Sequence, residues 1–239
     1  MRFDGVKWVW FDLDDTLMDF HANSRLANRL LFREARLDRC CPSPEEWIAA
    51  YEAHNKTLWD RYSRAEITQD FLRVDRFATP LRDSWTGTPE ELEAFAWELD
   101  KLYLDRLAEQ TVMIDGAVSL LSHLRAHYYN IGVLSNGFRD VQYRKLRNSG
   151  LDRMVDLTVL SDDIGVNKPD PRLFAYAMGR AGCTVPEANL MVGDNLAADI
   201  GGALGAGWRA VHFDRSAPAL MSGGKYLTTP DLGLLRGLL

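Results

Sequence analysis

The chain has 239 residues, of which 46% are hydrophobic, so it can bury a sizeable core as one large domain or two modest ones. A net charge of −6 and a sequence pI near 5.4 argue against a protein that tracks long nucleic acid, which presents a basic face, while a single nucleotide stays possible as a ligand. No apolar run approaches the ~18 residues of a membrane span, Met1-Arg2-Phe3-Asp4 leads towards a strand rather than a signal peptide, and Cys40, Cys41 and Cys183 lack the paired spacing of zinc or disulfide sites; a cytoplasmic protein with reduced thiols is expected.

The run Val6-Lys7-Trp8-Val9-Trp10-Phe11 reads as a central parallel strand, because a strand buried on both faces is apolar nearly throughout. Asp12-Leu13-Asp14-Asp15-Thr16 follows it directly, at the strand end where open α/β sheets bind ligands. Two close carboxylates there either serve a reaction centre with a compensating cation or cap the next turn and helix. From about Asp19 to Gln110 the patterns are helical and no strand is evident. Within that stretch Trp47, Tyr51, Asn55, Trp59 and Tyr62 fall on one helix face. An aromatic stripe is ordinarily core, but the Asn55 amide is suited to bonding a nucleobase edge, as buried polar groups need partners. Phe20, His21 and Asn23 follow the first strand closely and are candidates for lining a substrate entrance, with helix capping by Asn23 or Ser24 as the alternative.

From Gly116 onward helices and short apolar runs alternate. Ala117 to His127 reads as a helix, Asn130 to Leu134 as a strand, and Arg139 to Asn148 as a helix stopped by Gly150. Leu157 to Leu160, Leu190 to Gly193 and Ala210 to Phe213 are further strands, and residues 216–224 read as a loop. His123 and His127 lie four apart without an accompanying Glu, a poor metal pair. This alternation implies an α/β fold with a doubly wound parallel sheet. Residues 1–18 and 111–239 are expected to form the α/β core, and residues 19–110 an all-helical cap inserted after the first strand.

Three later segments place polar chemistry beside apolar runs. Ser135-Asn136-Gly137 offers a hydroxyl and backbone N–H groups able to hold phosphate oxygens, or an ordinary turn. In Asn167-Lys168-Pro169-Asp170 a single lysine sits in proline-stiffened backbone, a suitable point charge for phosphate or a solvated surface residue. Gly193-Asp194-Asn195, with Asp199 beyond, supplies a second acidic strand end, for metal or for a helix N-terminus. Four strand ends with complementary chemistry are hard to assign to chance.

The order Asp12-x-Asp14-x-Thr16, Ser135-Asn136, Lys168-Pro169, then Gly193-Asp194 with Asp199 resembles the four motifs of the haloacid dehalogenase superfamily of phosphohydrolases. Asp19-Phe20, Ala22-Asn23, Asn55, Leu58-Trp59, Tyr62, Ile67-Thr68 and Arg76-Phe77 are similar to the pyrimidine 5'-nucleotidase subfamily. The resemblance implies a Rossmann-like core, with Asp12 as nucleophile, Asp14 as general acid and base, and Lys168 as a catalytic cation. It implies Mg2+ held by Asp12, Asp14 through its carbonyl, and Asp194, and phosphate held by Ser135, Asn136, Gly137 and Lys168. Thr16 is expected to position Asp14, and Asp199 to act through water or through Lys168; Phe20, His21, Asn23, Asn55 and Trp59 are the candidates for substrate choice. The substrate so implied is a small phosphorylated metabolite, foremost a pyrimidine nucleoside monophosphate such as UMP, dUMP or dTMP. Phosphoglycolate or a sugar phosphate, 2-haloacid dehalogenation, and a non-catalytic binding module stand as alternatives.

Overall fold

The computed structural model describes residues 3–239; Met1 and Arg2, where the segment expected to lead into the first strand begins, lie outside the described residues. In chain order the elements are β1 (Trp8–Phe11), α1 (Phe20–Glu34), α2 (Pro44–Ser63), α3 (Gln69–Leu81), α4 (Pro89–Glu109), α5 (Ala117–Ala126), β2 (Asn130–Ser135), α6 (Arg139–Ser149) and β3 (Leu157–Leu160). There follow α7 (Pro171–Ala181), β4 (Asn189–Gly193), a π-helical turn at Leu196–Gly201 that runs into α8 (Gly202–Gly205), β5 (Arg209–Phe213), β6 (Met221–Ser222) and β7 (Leu227–Thr229). The chain divides into two compact units, Met1–Phe20 with Thr111–Leu239, and His21–Gln110.

The first unit is a seven-stranded sheet in the order β3-β2-β1-β4-β5-β7-β6, parallel except where β6 meets β7. β1 lies between β2 and β4, with Phe11 level with Val133 on one side and Val192 on the other. Both faces of β1 are covered, which is why its sequence is apolar without alternation. Val9 and Phe11 join Leu120, Leu121 and Leu124 of α5 and Leu146 of α6. Trp10, on the opposite face, joins Leu173, Phe174 and Ala177 of α7 and Ala203 of α8. Its indole N–H donates to Asn189 Oδ1 at 3.0 Å, so burial leaves no orphaned donor there.

Two local differences from expectation have simple causes. Val6 and Lys7 precede β1 instead of belonging to it, although Lys7 still bonds both neighbours, its N–H to Ala188 O at 2.8 Å and its carbonyl to the Asn130 N–H at 3.0 Å. β6 falls inside the segment read as a loop, and β7 follows it; runs of two and three residues are too short to show a period.

The second unit contains α1 from His21 onward and α2 to α4, with no strand among the described residues. Ser43, Thr68 and Thr88 cap α2, α3 and α4 by accepting the N–H of Glu46, Phe71 and Glu91, the expected use of hydroxyls at helix starts. Tyr51, Phe77 and Tyr103 pack ring to ring at 5.2 to 5.6 Å. Along α2 the buried line runs Trp47, Tyr51, Asn55, Leu58, because three turns of 3.6 residues return to position 58 and not 59. Trp59 is therefore half-buried and meets Tyr62 edge to face at 5.6 Å.

Asp100 is fully buried in this unit and paired with Arg76 and Arg73. Removing one member of such a pair strands a buried charge. Asp100→Ala is expected to lower stability by about 3–5 kcal/mol, read as a fall in the urea midpoint for this unit.

Candidate active site

Because β1 is flanked by β2 and β4, the residues at the ends of these three strands come together at the carboxyl edge of the sheet. Asp12 continues the ladder, its N–H donating to Val192 O at 3.0 Å. The chain then folds back, with the N–H groups of Leu17 and Met18 both donating to Leu13 O at 3.0 and 2.9 Å. Asp15 takes a left-handed backbone, φ 56°, a conformation that Asp tolerates better than most residues.

Lys168 reaches this edge from the loop between β3 and α7. The Asn136 carboxamide clamps its backbone, Oδ1 accepting the Lys168 N–H at 2.8 Å and Nδ2 donating to the Lys168 carbonyl at 3.1 Å. The ammonium is 2% exposed and donates to Asp12 Oδ1 at 2.6 Å, Asp199 Oδ1 at 2.6 Å and Leu134 O at 2.7 Å. An ammonium has three donors, and all are used. Burial alone would drive Lys168 towards neutrality, but the charges of Asp12 and Asp199 outweigh it and hold the pKa above its ordinary value.

Asp199 is set by the π-helical turn after β4. Asn195 opens that turn by accepting the N–H groups of Ala197 and Ala198 at 3.0 and 2.9 Å, and its own N–H donates to Asp199 Oδ2 at 3.0 Å. Any Cβ at Gly193 would run into the Asp199 carboxylate, so the smallest residue is required at that strand end. Asp194 accepts the Thr16 hydroxyl on Oδ1 at 3.2 Å, and its carbonyl accepts from His212 Nε2 at 3.0 Å.

The carboxylates bear an electrostatic load. Burial pushes the Asp194 carboxyl up to about 7, with the charges of Asp199 and Asp15 adding to the rise. Burial likewise raises Asp12, against the pull of Lys168 and helped by Asp199 and Asp194. Asp12, Asp194 and Asp199 each offer an oxygen within 4.8 Å of the others. With Lys168 offsetting one of the three charges, two remain, so the donor set fits a hard divalent cation held by oxygens. Asp199 already commits one oxygen to Lys168 and the other to Asn195, which leaves Asp12 and Asp194 as the better ligands.

Asp14 lies beside this cluster and is held separately, by Lys145 and Gln142 of α6. Thr16, expected on Asp14, bonds Asp194 instead, because the fold-back of residues 13–18 turns its hydroxyl towards β4. The Asn136 side chain uses both ends of its amide on Lys168, whereas the phosphate contact expected at Asn136 is through the backbone N–H groups around it. Ser135 Oγ accepts the Gly137 N–H at 3.1 Å and Gln142 Nε2 at 2.8 Å. Sequence reasoning missed Lys145 and Gln142, because only the placement of α6 in the fold buries these two polar residues.

The candidates for substrate choice are dispersed in their own units. The Phe20 ring lies 5.3 Å from Lys145 Nζ. In the second unit His21 Nδ1 is 3.6 Å from Glu52, Asn23 is buried on α1, and Asn55 is buried with Oδ1 unpaired.

The haloacid dehalogenase-like hydrolase family matches residues 6–207. The chain belongs to that family and is an enzyme of the hydrolase class. It is 34% identical to pyrimidine 5'-nucleotidase YjjG of Escherichia coli, over 87% of this chain and 84% of that protein, and 30% identical to pyrimidine 5'-nucleotidase PynA of Streptococcus pneumoniae, over 87% and 84%. Among solved structures, the HAD-hydrolase YfnB of Bacillus subtilis, bound to magnesium, superposes with a TM-score of 0.83 at 29% identity, covering 98% of each chain.

If the Asn136 clamp sets Lys168, Asn136→Ala leaves a backbone donor and acceptor unpaired. A stability loss of about 1–3 kcal/mol is expected, measured by chemical unfolding.

Proposed function

We propose that the chain is a magnesium-dependent phosphomonoester hydrolase that works through an aspartyl phosphate, and that pyrimidine nucleoside 5'-monophosphates are its preferred substrates. The observation that carries the reading is the pairing of two differently held carboxylates: Asp12 on Lys168 and Asp14 on Lys145.

Phosphate monoesters hydrolyse extremely slowly in water, and a covalent intermediate divides the reaction into two easier steps. Asp12 attacks phosphorus through a carboxylate oxygen, the ester P–O bond breaks, and Asp14 gives its proton to the departing alkoxide. Asp14 then takes a proton from water, whose oxygen attacks the aspartyl phosphate; the P–O bond to Asp12 breaks and restores the carboxylate. Lys168 and Ser135 face the charge that spreads over the phosphoryl oxygens, the electrostatic work that dominates such transfers. Asp12, Asp194 and the Asp14 carbonyl would hold Mg2+. When bound, the ion supplies Lewis-acid neutralisation of phosphoryl charge.

The second unit, His21–Gln110, is proposed as a cap that sets substrate preference, with Asn55 as the polar group suited to a base edge. The nucleotide preference follows the pyrimidine 5'-nucleotidase relatives. Haloacid dehalogenation is disfavoured, because a halide leaving group needs no proton, which leaves the acid half of the Asp14 role without use.

Phosphate release should be measured across UMP, dUMP, dTMP, purine nucleotides, sugar phosphates and phosphoglycolate, with Mg2+ or EDTA. The expected result is release that needs Mg2+, is highest for pyrimidine nucleotides, and falls by at least about 10³-fold in Asp12→Asn, as for loss of a nucleophile. Metal-dependent release from other esters alone would keep the mechanism and remove the nucleotide preference. Full activity in EDTA would remove the metal.

A further inference from the structure

Lys145 and Gln142 are buried polar residues for which the steps above have no use. They lie three apart on α6, a spacing that places both on one face. The Lys145 ammonium, 3% exposed, donates to both oxygens of Asp14 at 2.8 and 3.0 Å. Gln142, 1% exposed, donates through Nε2 to Asp14 Oδ2 at 2.9 Å and to Ser135 Oγ at 2.8 Å. The Phe20 ring, 5.3 Å from Lys145 Nζ, adds a cation–π contact.

This arrangement is costly for the fold. A buried ammonium carries a large desolvation penalty, and the other buried side chains of α6 include Val141 and Leu146, so an apolar residue would suit the packing. The Gln142 Oε1 also remains buried without a partner, a further penalty that Nε2 offsets through its two bonds. Gly137 is shaped to the same end: a Cβ there would overlap the Gln142 side chain. Each feature converges on Asp14 and on its separation from Ser135.

We propose that Lys145 and Gln142 are positioning residues for the acid and base of the reaction. Lys145 fixes the rotamer of Asp14 by engaging both its oxygens. Gln142 ties that carboxylate to the Ser135 hydroxyl, so the proton donor and the hydroxyl facing phosphate keep a constant spacing. The inference rests on the phosphomonoesterase reading and adds who aims Asp14.

Leaving groups separate aim from mere folding. A nucleoside or glycerol alkoxide needs a proton to depart, whereas p-nitrophenolate leaves without one. In Lys145→Met, kcat/KM for UMP and glycerol 2-phosphate should fall about 10²-fold, as for a misplaced general acid, and stay within about fivefold for p-nitrophenyl phosphate. The same variant should show a burst approaching about one p-nitrophenolate per chain, because the aspartyl phosphate then awaits a badly aimed base. Lys145→Arg should recover part of the loss, and Gln142→Met should show the same split in milder form, keeping the test open if Lys145→Met does not fold.

An equal loss of kcat/KM for all esters, or a rise in KM alone, would make Lys145 structural or a phosphate ligand and overturn the proposal. So would unchanged rates in both Lys145→Met and Gln142→Met. A leaving-group split in Asp14→Asn that is absent from Lys145→Met overturns the positioning role alone. A parent chain that releases no phosphate from any ester overturns the phosphomonoesterase reading and this inference with it.

Discussion

The buried ammonium of Lys168 is the interaction on which the edge of the sheet depends. It joins Asp12 after β1, the Leu134 carbonyl in β2 and Asp199 beyond β4, so one cation ties together the ends of three neighbouring strands. A lone charge at that depth would be strongly destabilising. Two carboxylates and a carbonyl make it tolerable, and each of these has its own support. Asn136 holds the backbone of Lys168, the π-helical turn holds Asp199, and the parallel ladder holds Asp12.

Satisfying Lys168 leaves the site with excess negative charge. Asp194 adds a third carboxylate, whose pKa is raised by burial and further by the charges of Asp199 and Asp15. A site of this kind is incomplete in the electrostatic sense, and a divalent cation would offset the two charges that Lys168 leaves unbalanced. The polypeptide thus arranges charge in advance of the ligand instead of responding to it, which is the condition under which fixed dipoles and charges help a reaction most.

Much of this was legible in sequence because the chemistry sits at strand ends. The apolar run before Asp12 and the short apolar segments before Ser135 and Asp194 announced the β1, β2 and β4 ends, and the resemblance joined them to Lys168. What could not be read was which side chain meets which. Thr16 lies two residues from Asp14 yet bonds Asp194, because the fold-back after Asp12 overrides sequence proximity. Lys145 and Gln142 were illegible for a different reason: on a helix written Arg-Asp-Val-Gln-Tyr-Arg-Lys, a lysine reads as solvated surface, and only the position of α6 beside β2 buries it. β6 and β7 escaped because their lengths carry no period.

The two carboxylates two residues apart raise a problem that the structure resolves by giving each its own cation. Asp12 and Asp14 would be poor candidates for different tasks if they shared one environment, since like groups side by side titrate as a pair. Here Asp12 belongs to Lys168 and Asp199, while Asp14 belongs to Lys145 and Gln142. One carboxylate is anchored by the lysine of the loop between β3 and α7, and the other from the helix that follows β2. Separation of environments, and not separation along the chain, is what would let one loop present both the nucleophile and the proton carrier of the proposed reaction. The same logic gives the second buried ammonium a use: Lys145 engages both oxygens of Asp14 and Gln142 engages one, so Asp14 has partners apart from those of Asp12.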